Sequence, residues 1–292
     1  MIYRLVDQVQ QKAISQACRV LQISRAAYYA AKRRPKKPTI SKASVQVKAV
    51  FEANQRCYGS RRIVDELHAQ HLTIGRYKVR RLMREAGLKP VWKKKFVHTT
   101  DSNHNLPVAD NLLNRQFNPP QPDQVWTSDI TYLRTKTGWL YLAAVMDLHS
   151  RKIIGWAMSP TMPAALVCQA LKMALGQRHP RAGLMLHSDR GSQYASHKYQ
   201  ALLKHHGIIC SMSRKGNCWD NAVMERFFLN LKMERVWQRE YGNQMEASKD
   251  VIDYIVGFYN CQRRHAALGN LAPIDYENQF AAKQPIEVSE IT

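Results

Sequence analysis

Leu184-Met185-Leu186-His187-Ser188-Asp189 is an apolar run that ends in a carboxylate. The polar break Lys215-Gly216-Asn217-Cys218-Trp219-Asp220 follows, and then an amphipathic stretch that carries Glu225 and, seven residues later, Lys232. Thirty-five residues separate Asp189 from Glu225. A third acid, Asp129, lies upstream in the β-rich stretch Val125-Trp126-Thr127-Ser128-Asp129-Ile130-Thr131-Tyr132-Leu133. A charge in mid-strand is costly unless it is paired or binds a cation, and strand ends such as Asp189 are where α/β folds place ligand groups. Each acid has an ordinary explanation by itself: Asp189 capping the turn before Arg190-Gly191, or Glu225 pairing with Arg190 or Arg226. As a trio on two strands and a helix they suit a pair of divalent metals in phosphoryl transfer.

The elements around these acids set the fold class. Val125–Leu133, a Lys136-Thr137-Gly138 turn, Trp139–Met146 and Lys152–Met158 read as three successive antiparallel strands. Helical and strand periods then alternate: helix Pro163–Leu175, strand Leu184–His187, helix Ser196–His206, strand Ile208–Met212, helix Asn221–Val236, and a last amphipathic helix Ser248–Tyr259. That order predicts an α/β, RNase H-like mixed-sheet core over residues 123–280, ending in a helix. Two further aspartates have local explanations. Asp147 sits at a hairpin corner beside His149 and Arg151, where turn chemistry suffices, and Asp220 is placed to cap the helix that follows it. His187 reads either as a packed strand histidine or as a group supporting Asp189.

The charge lies elsewhere. Of a formal net charge of +22, residues 1–100 carry 23 Lys/Arg against 5 Asp/Glu, so the basic excess is an N-terminal property, as a polyanion partner requires. Residues 1–34 read as a helix-turn-helix, with Ser24 as N-cap of the second helix and Arg25 exposed at its start. The basic, proline-broken run Lys32–Pro38 reads as a linker. Residues 44–98 read as a second, basic helix-turn-helix-like module with helices at Val45–Glu52, from Ser60, and at Ile74–Met83, stopped by Gly87. Ile63, Leu67, Val79, Leu82 and Met83 would form its core and leave Arg61, Arg62, Arg76, Lys78, Arg80, Arg81 and Arg84 outside as candidate DNA contacts. Residues 99–122, rich in proline and polar groups, read as a linker ordered on DNA.

Other classes are disfavoured. No apolar run approaches a membrane span, no basic amphipathic anchor appears, and the N-terminus lacks a signal-peptide core, which leaves the cytoplasm as the expected place. Six scattered cysteines without a C-x-x-C pair signal neither a disulfide framework nor a zinc site, although His68 and His71 stand near Cys57.

The residues resemble a known family. Trp126-Thr127-Ser128-Asp129-Ile130-Thr131-Tyr132, His187-Ser188-Asp189-Arg190-Gly191-Ser192-Gln193-Tyr194, Asp220-Asn221-Ala222 with Glu225, and Tyr259-Asn260 through Arg264-His265 are similar to the OrfB-type transposases of the IS-three family of bacterial insertion sequences, with a core that also resembles retroviral integrases. The resemblance covers nearly the whole chain. It implies a catalytic and metal-binding DDE triad of Asp129, Asp189 and Glu225, and two Mg²⁺ or Mn²⁺ ions. It also implies DNA partners, both the terminal inverted repeats of the element and target DNA, a homo-oligomer on paired ends, and in many members fusion to an upstream reading-frame product. The zinc-binding module of retroviral integrases is absent, so end recognition would fall to the helical modules. Lys232 shares a helix face with Glu225 but stands about 10 Å along the axis, too far for a metal ligand, and the resemblance favours a contact with the transposon end. The rival readings are a DNA-binding regulator with an idle core and a host RNase H-like nuclease. The first leaves three gathered acids without a use, and the second leaves the basic front half unexplained.

Overall fold

A computed structural model describes residues 6, 13–33, 41–91 and 106–283. Most of the Lys32–Pro38 run, residues 92–98 of the second basic module and residues 99–105 of the expected linker lie outside the described residues. The chain divides into two compact units, Met1–Gln46 and Val47–Thr292.

In the first unit, α1 (Ile14–Val20) and α2 (Arg25–Arg33) enclose a small core of Val6, Ile14, Cys18 and Tyr28. Ser24 starts α2 as its sequence suggests, its Oγ accepting from the Ala27 N–H at 3.0 Å, which satisfies one of the orphan donors of the first turn. Arg25 is exposed at the head of that helix.

The division between the units falls inside α3 (Lys42–Ala53), which is followed by α4 (Ser60–Ala69) and α5 (Arg76–Glu85). Ile63, Leu67, Val79, Leu82 and Met83 are all buried, and Gly87 takes φ +67° just past α5, a left-handed conformation suited to glycine at a helix stop. The turn between α4 and α5 is tied by His68, whose Nε2 lies 3.0 Å from the Ile74 carbonyl oxygen.

The same unit contains a five-stranded sheet of order β3-β2-β1-β4-β5. Its strands are β1 (Val125–Thr135), β2 (Gly138–Asp147), β3 (Ile153–Ser159), β4 (Met185–Ser188) and β5 (Ile209–Met212). The first three form an antiparallel meander, whereas β4 pairs parallel to β1 and β5 parallel to β4. This is the RNase H-like mixed sheet expected from the element order. One face is covered by α6 (Ala164–Arg178), the short α7 (Ser192–Ala195) and α8 (His197–His205), and the core there is built on Trp126, Val145, Leu171, Leu186, Tyr194 and Tyr199. Next come α9 (Ala222–Glu234), α10 (Gln244–Asp253), which continues as a π-helical turn over Tyr254–Tyr259, and α11 (Pro273–Lys283). The expected last helix therefore starts earlier than Ser248. Periodicity predicts nothing at α11, whose Glu277 pairs with Arg178 and Lys152.

Two expectations are corrected. Residues 106–122 hold no regular element, yet they are not a free connector. Ser211 Oγ accepts from the Leu112 and Leu113 N–H groups, Leu113 is buried, and the Pro119 carbonyl meets His149 Nδ1 at 2.9 Å. Periodicity cannot reveal a segment held by individual side-chain bonds. Asp220, expected to cap α9, does not do so. Asn221 takes the N-cap position, and Asp220 lies buried in a 3₁₀ turn.

Gly155 on β3 faces α6 so closely that a Cβ there would stand 2.7 Å from the Ala174 backbone nitrogen and closer still to the Ala170 carbonyl. Gly155→Ala should therefore lower stability by about 1–3 kcal/mol through overpacking, read as a reduced urea midpoint with an unchanged slope.

Candidate active site

The parallel pairing of β1 and β4 fixes the first two acids. Trp126 is in register with Leu186 and Thr127 with His187. Two residues beyond each of these partners stand Asp129, within β1, and Asp189, immediately past the end of β4. The third acid comes from α9, whose start is fastened to β1. The Thr127 hydroxyl donates to Asn221 Oδ1 at 2.6 Å, and the Asn221 amide donates to the Ser128 carbonyl at 3.3 Å. Glu225 follows one turn later. On the opposite side, Ser128 Oγ and the Tyr194 hydroxyl, 3.0 Å apart, anchor the strand to the buried core.

Asp129 feels both of the other acids. The Asp129 carboxyl is held well above its ordinary pKa, first by burial, then by the charges of Asp189 and Glu225. The Ile130 N–H, 2.7 Å from Asp129 Oδ1, and the charge of Lys232 pull the other way without prevailing. Asp189 also closes a tight turn, accepting from the Gly191 N–H at 2.9 Å, so the capping role and the clustering with Asp129 coexist. A Cβ at Gly191 would come within 3.0 Å of that same Asp189 oxygen, which is why the loop carries glycine there. Among the described residues no group of three or more His, Cys, Asp or Glu side chains is arranged to hold a metal ion. By donor type, the carboxylate oxygens of Asp129, Asp189 and Glu225 fit Mg²⁺ or Mn²⁺ better than a soft metal.

Lys232 is half-buried, with Nζ 4.7 Å from the Tyr132 ring centroid. Burial lowers its pKa, while Asp129 acts to raise it. It therefore does not sit on a solvated face. His187 is the packed histidine of the two readings: it is buried, its ring nitrogens are 2.9 and 3.2 Å from the Ser211 and Ser213 hydroxyls, and burial pushes its pKa down to about 4. Asp147 behaves as a turn residue, accepting from Ser150 at 2.9 Å and from the Asp123 N–H at 2.7 Å.

Sequence reasoning missed the supports. Buried Asp220 accepts from Arg214 through the backbone N–H and both ends of the guanidinium, from Arg115 Nε at 2.9 Å and from the Asn111 amide at 2.8 Å. These donors, Arg214 above all, hold its carboxyl far below the usual carboxylate range. The signal for Asn221 was its place immediately before the helix, which suggests a cap; its side chain instead crosses to β1.

Of the residues expected to meet DNA, Arg61, Arg76, Lys78, Arg80 and Arg81 are exposed on α4 and α5, with Arg81 in a loose 3.6 Å pair with Glu85. Arg62 is corrected. It is half-buried, with its guanidinium 5.5 Å from the Tyr58 ring centroid, and desolvation, followed by the charge of Arg263, lowers its pKa. Arg25 belongs to the other compact unit.

Known proteins are similar to this chain. Residues 119–218 and 206–273 match two family models, each described as an integrase core domain, and residues 41–96 match an HTH-like domain. The chain is 42% identical over 275 residues to "Transposase InsF for insertion sequence IS3A" of Escherichia coli (strain K12), covering 92% of this chain and 96% of that protein. The chain belongs to the IS-three family of insertion-sequence transposases. A second relative in the family, the "Insertion element IS600 uncharacterized 31 kDa protein" of Shigella sonnei, is 42% identical over 90% of this chain and 98% of its own length. Among solved structures, the catalytic core domain of BIV integrase is 21% identical, covers 56% of this chain and 99% of that chain, and has a TM-score of 0.41. The integrase core of this transposase is thus the five-stranded sheet and the helices packed on it, and nucleotidyl transfer that depends on metal is the activity of its class.

A raised carboxyl pKa has a stability signature with a definite sign. The folded state holds the Asp129 proton more tightly than the unfolded chain does, so metal-free stability falls as pH rises from the ordinary carboxylate range through the raised folded value. Asp129→Asn should therefore unfold at a higher temperature than the parent at pH 7 in chelator, and the gap should close toward pH 4. Equal melting of the two proteins at pH 7 would mean that the acids do not repel one another.

Proposed function

We propose that Asp129, Asp189 and Glu225 are the catalytic triad of this transposase and that they hold two divalent ions, Mg²⁺ or Mn²⁺. The observation that carries the reading is the raised Asp129 carboxyl, a charge set against two other carboxylates that Lys232 offsets only in part. Such a cluster is unfavourable in an apoprotein and is relieved by a cation. When bound, the ions supply Lewis-acid chemistry: they lower the pKa of an attacking hydroxyl and neutralise charge developing on the phosphate. The chain's own residues do the rest. Asp129, which feels both other acids, would hold the ions together with them. Asp189 is presented by its turn with Gly191, and Glu225 is set by the Asn221 fastening of α9 to β1. The reaction is in-line attack on a phosphodiester, first by water to free a DNA 3′-hydroxyl and then by that hydroxyl on target DNA.

The partners in this reading are the terminal inverted repeats of the element and target DNA. The exposed basic residues of α4 and α5 provide a binding surface in the second unit, and Arg25 on α2 is a separate candidate contact in the first. A homo-oligomer pairs the two ends, and fusion to an upstream reading-frame product belongs to the same reading. Among the described residues no helix is long and apolar enough to cross a membrane. An idle-core regulator would have no use for gathered acids whose proximity costs stability.

Asp129→Asn or Glu225→Gln should reduce joining of labelled element ends in Mg²⁺ by about 10³-fold or more, the effect expected when several kcal/mol of charge stabilisation are lost, while end binding persists. A variant that joins ends at the parental rate would take that residue out of the site.

Lys232 is assigned to a DNA phosphate near the site, not to the metals. Lys232→Ala should weaken end engagement, lower the slope of log affinity against log salt by about one, and leave divalent-ion binding intact. Equal slopes for variant and parent would confine Lys232 to packing on Tyr132.

A further inference from the structure

The outward face of α5 is centred on a side chain that the charge pattern passes over. Tyr77 is 87% exposed, among the most exposed large apolar side chains of the described residues, and it is the second residue of the helix. At about 100° per residue, the buried side chains Val79, Leu82 and Met83 define one direction across the helix, and Tyr77 points almost directly away from it. Arg80, Arg81 and Arg84 fall on either side of that outward line, and all three are exposed. The helix thus presents an aromatic side chain framed by guanidinium groups. One exposed aromatic is unremarkable by itself; its position among cations near the start of the second helix of a helix-turn-helix pair is not.

Such a face has an assigned depth order. In this motif the N-terminal residues of the second helix meet base edges while the flanking cations meet phosphates. Phosphate contacts position the protein, and base contacts specify sequence. An arginine contributes to affinity on any DNA, whereas a tyrosine ring, carrying no charge to release counterions, contributes mainly where its surface fits a particular base edge, for example the methyl group that thymine carries into the major groove.

We propose that Tyr77 is a sequence-specificity residue of this transposase, its ring packing against a base edge in the major groove of the element end while Arg80, Arg81 and Arg84 hold the flanking phosphates. The proposal rests on the reading of residues 41–91 as a DNA-binding module.

The test uses the full chain and two duplexes of equal length, one bearing the element's terminal inverted repeat and one with that sequence scrambled. Affinity for each is measured by fluorescence anisotropy across a salt series. Tyr77→Ala, at a position exposed enough to leave the fold undisturbed, should reduce the preference for the end over the scrambled duplex on the order of tenfold, the cost of one mismatched base contact, with the salt slope unchanged. Arg81→Ala should do the reverse, lowering the slope by about one and weakening both duplexes alike. An unchanged preference in Tyr77→Ala, or an equal loss on both duplexes, would overturn the assignment. If the parent chain does not prefer the end duplex, the reading of the module fails and the assignment fails with it, an outcome distinct from a parent that discriminates and a variant that discriminates equally.

Discussion

Everything in the catalytic unit turns on keeping like charges close. Asp129 sits on the central strand of the sheet, and burial first, then the charges of Asp189 and Glu225, raise its pKa. Left alone, such a cluster would splay or take up protons. What prevents it is covalent order and hydrogen bonding just outside the acids. The parallel register of β1 with β4 sets the spacing of the aspartates, the Thr127–Asn221–Ser128 bridge pins the glutamate helix to the same strand, and Ser128 with Tyr194 secures that strand from the other side. None of these supports carries formal charge. They fix the elements that carry the acids, β1, β4 and the start of α9.

Elsewhere the protein treats buried charge in the opposite way. Asp220 is saturated by two arginines and an asparagine, and Glu234 receives both Nε and Nη2 of Arg263 at 2.8 and 2.7 Å together with the Tyr254 hydroxyl at 2.7 Å. These are compensated sites, in which removing one partner strands the other. Both flank the catalytic helix, Asp220 just before it and Glu234 as its last residue. Matched in this way, the two acids brace the ends of the helix that carries Glu225.

Whether a feature is legible in the sequence depends on whether it has a period or a partner. The strands, the helices of the basic module, the Ser24 cap and the Gly87 stop are legible because alternation and capping are local. The three acids can be singled out because spacing and element order bring them to notice together. Asp220 misleads, because a lone aspartate before a helix looks the same whether it caps that helix or binds distant arginines, and Arg115 lies 105 positions away. Arg62 misleads for a similar reason: on a basic helix only the Tyr58 ring beneath it distinguishes an inward arginine from an outward one. Segment 106–122 looks like a linker because side-chain anchoring leaves no periodic trace.

Within the second unit, the basic module and the catalytic sheet are joined by side chains as well as by the backbone. Tyr58, between α3 and α4, accepts from the Arg264 N–H at 2.8 Å and donates to the Gln262 carbonyl at 3.2 Å, while Glu66 on α4 pairs with Arg264 at 2.6 Å. Gln262 and Arg264 flank Arg263, which grips Glu234 at the end of the helix bearing Glu225. A chain of short, partly buried contacts therefore runs from the basic module to the helix of the third acid. Since α4 packs against α5, the surface that would meet an element end is held in fixed register with the acids that would cut it. Positional accuracy on a phosphodiester needs such a register, because misplacement by about 1 Å can cost on the order of 10²-fold in rate. The contacts through Tyr58 and Arg264 are a tie of that kind between α4 and the segment that grips the end of the Glu225 helix.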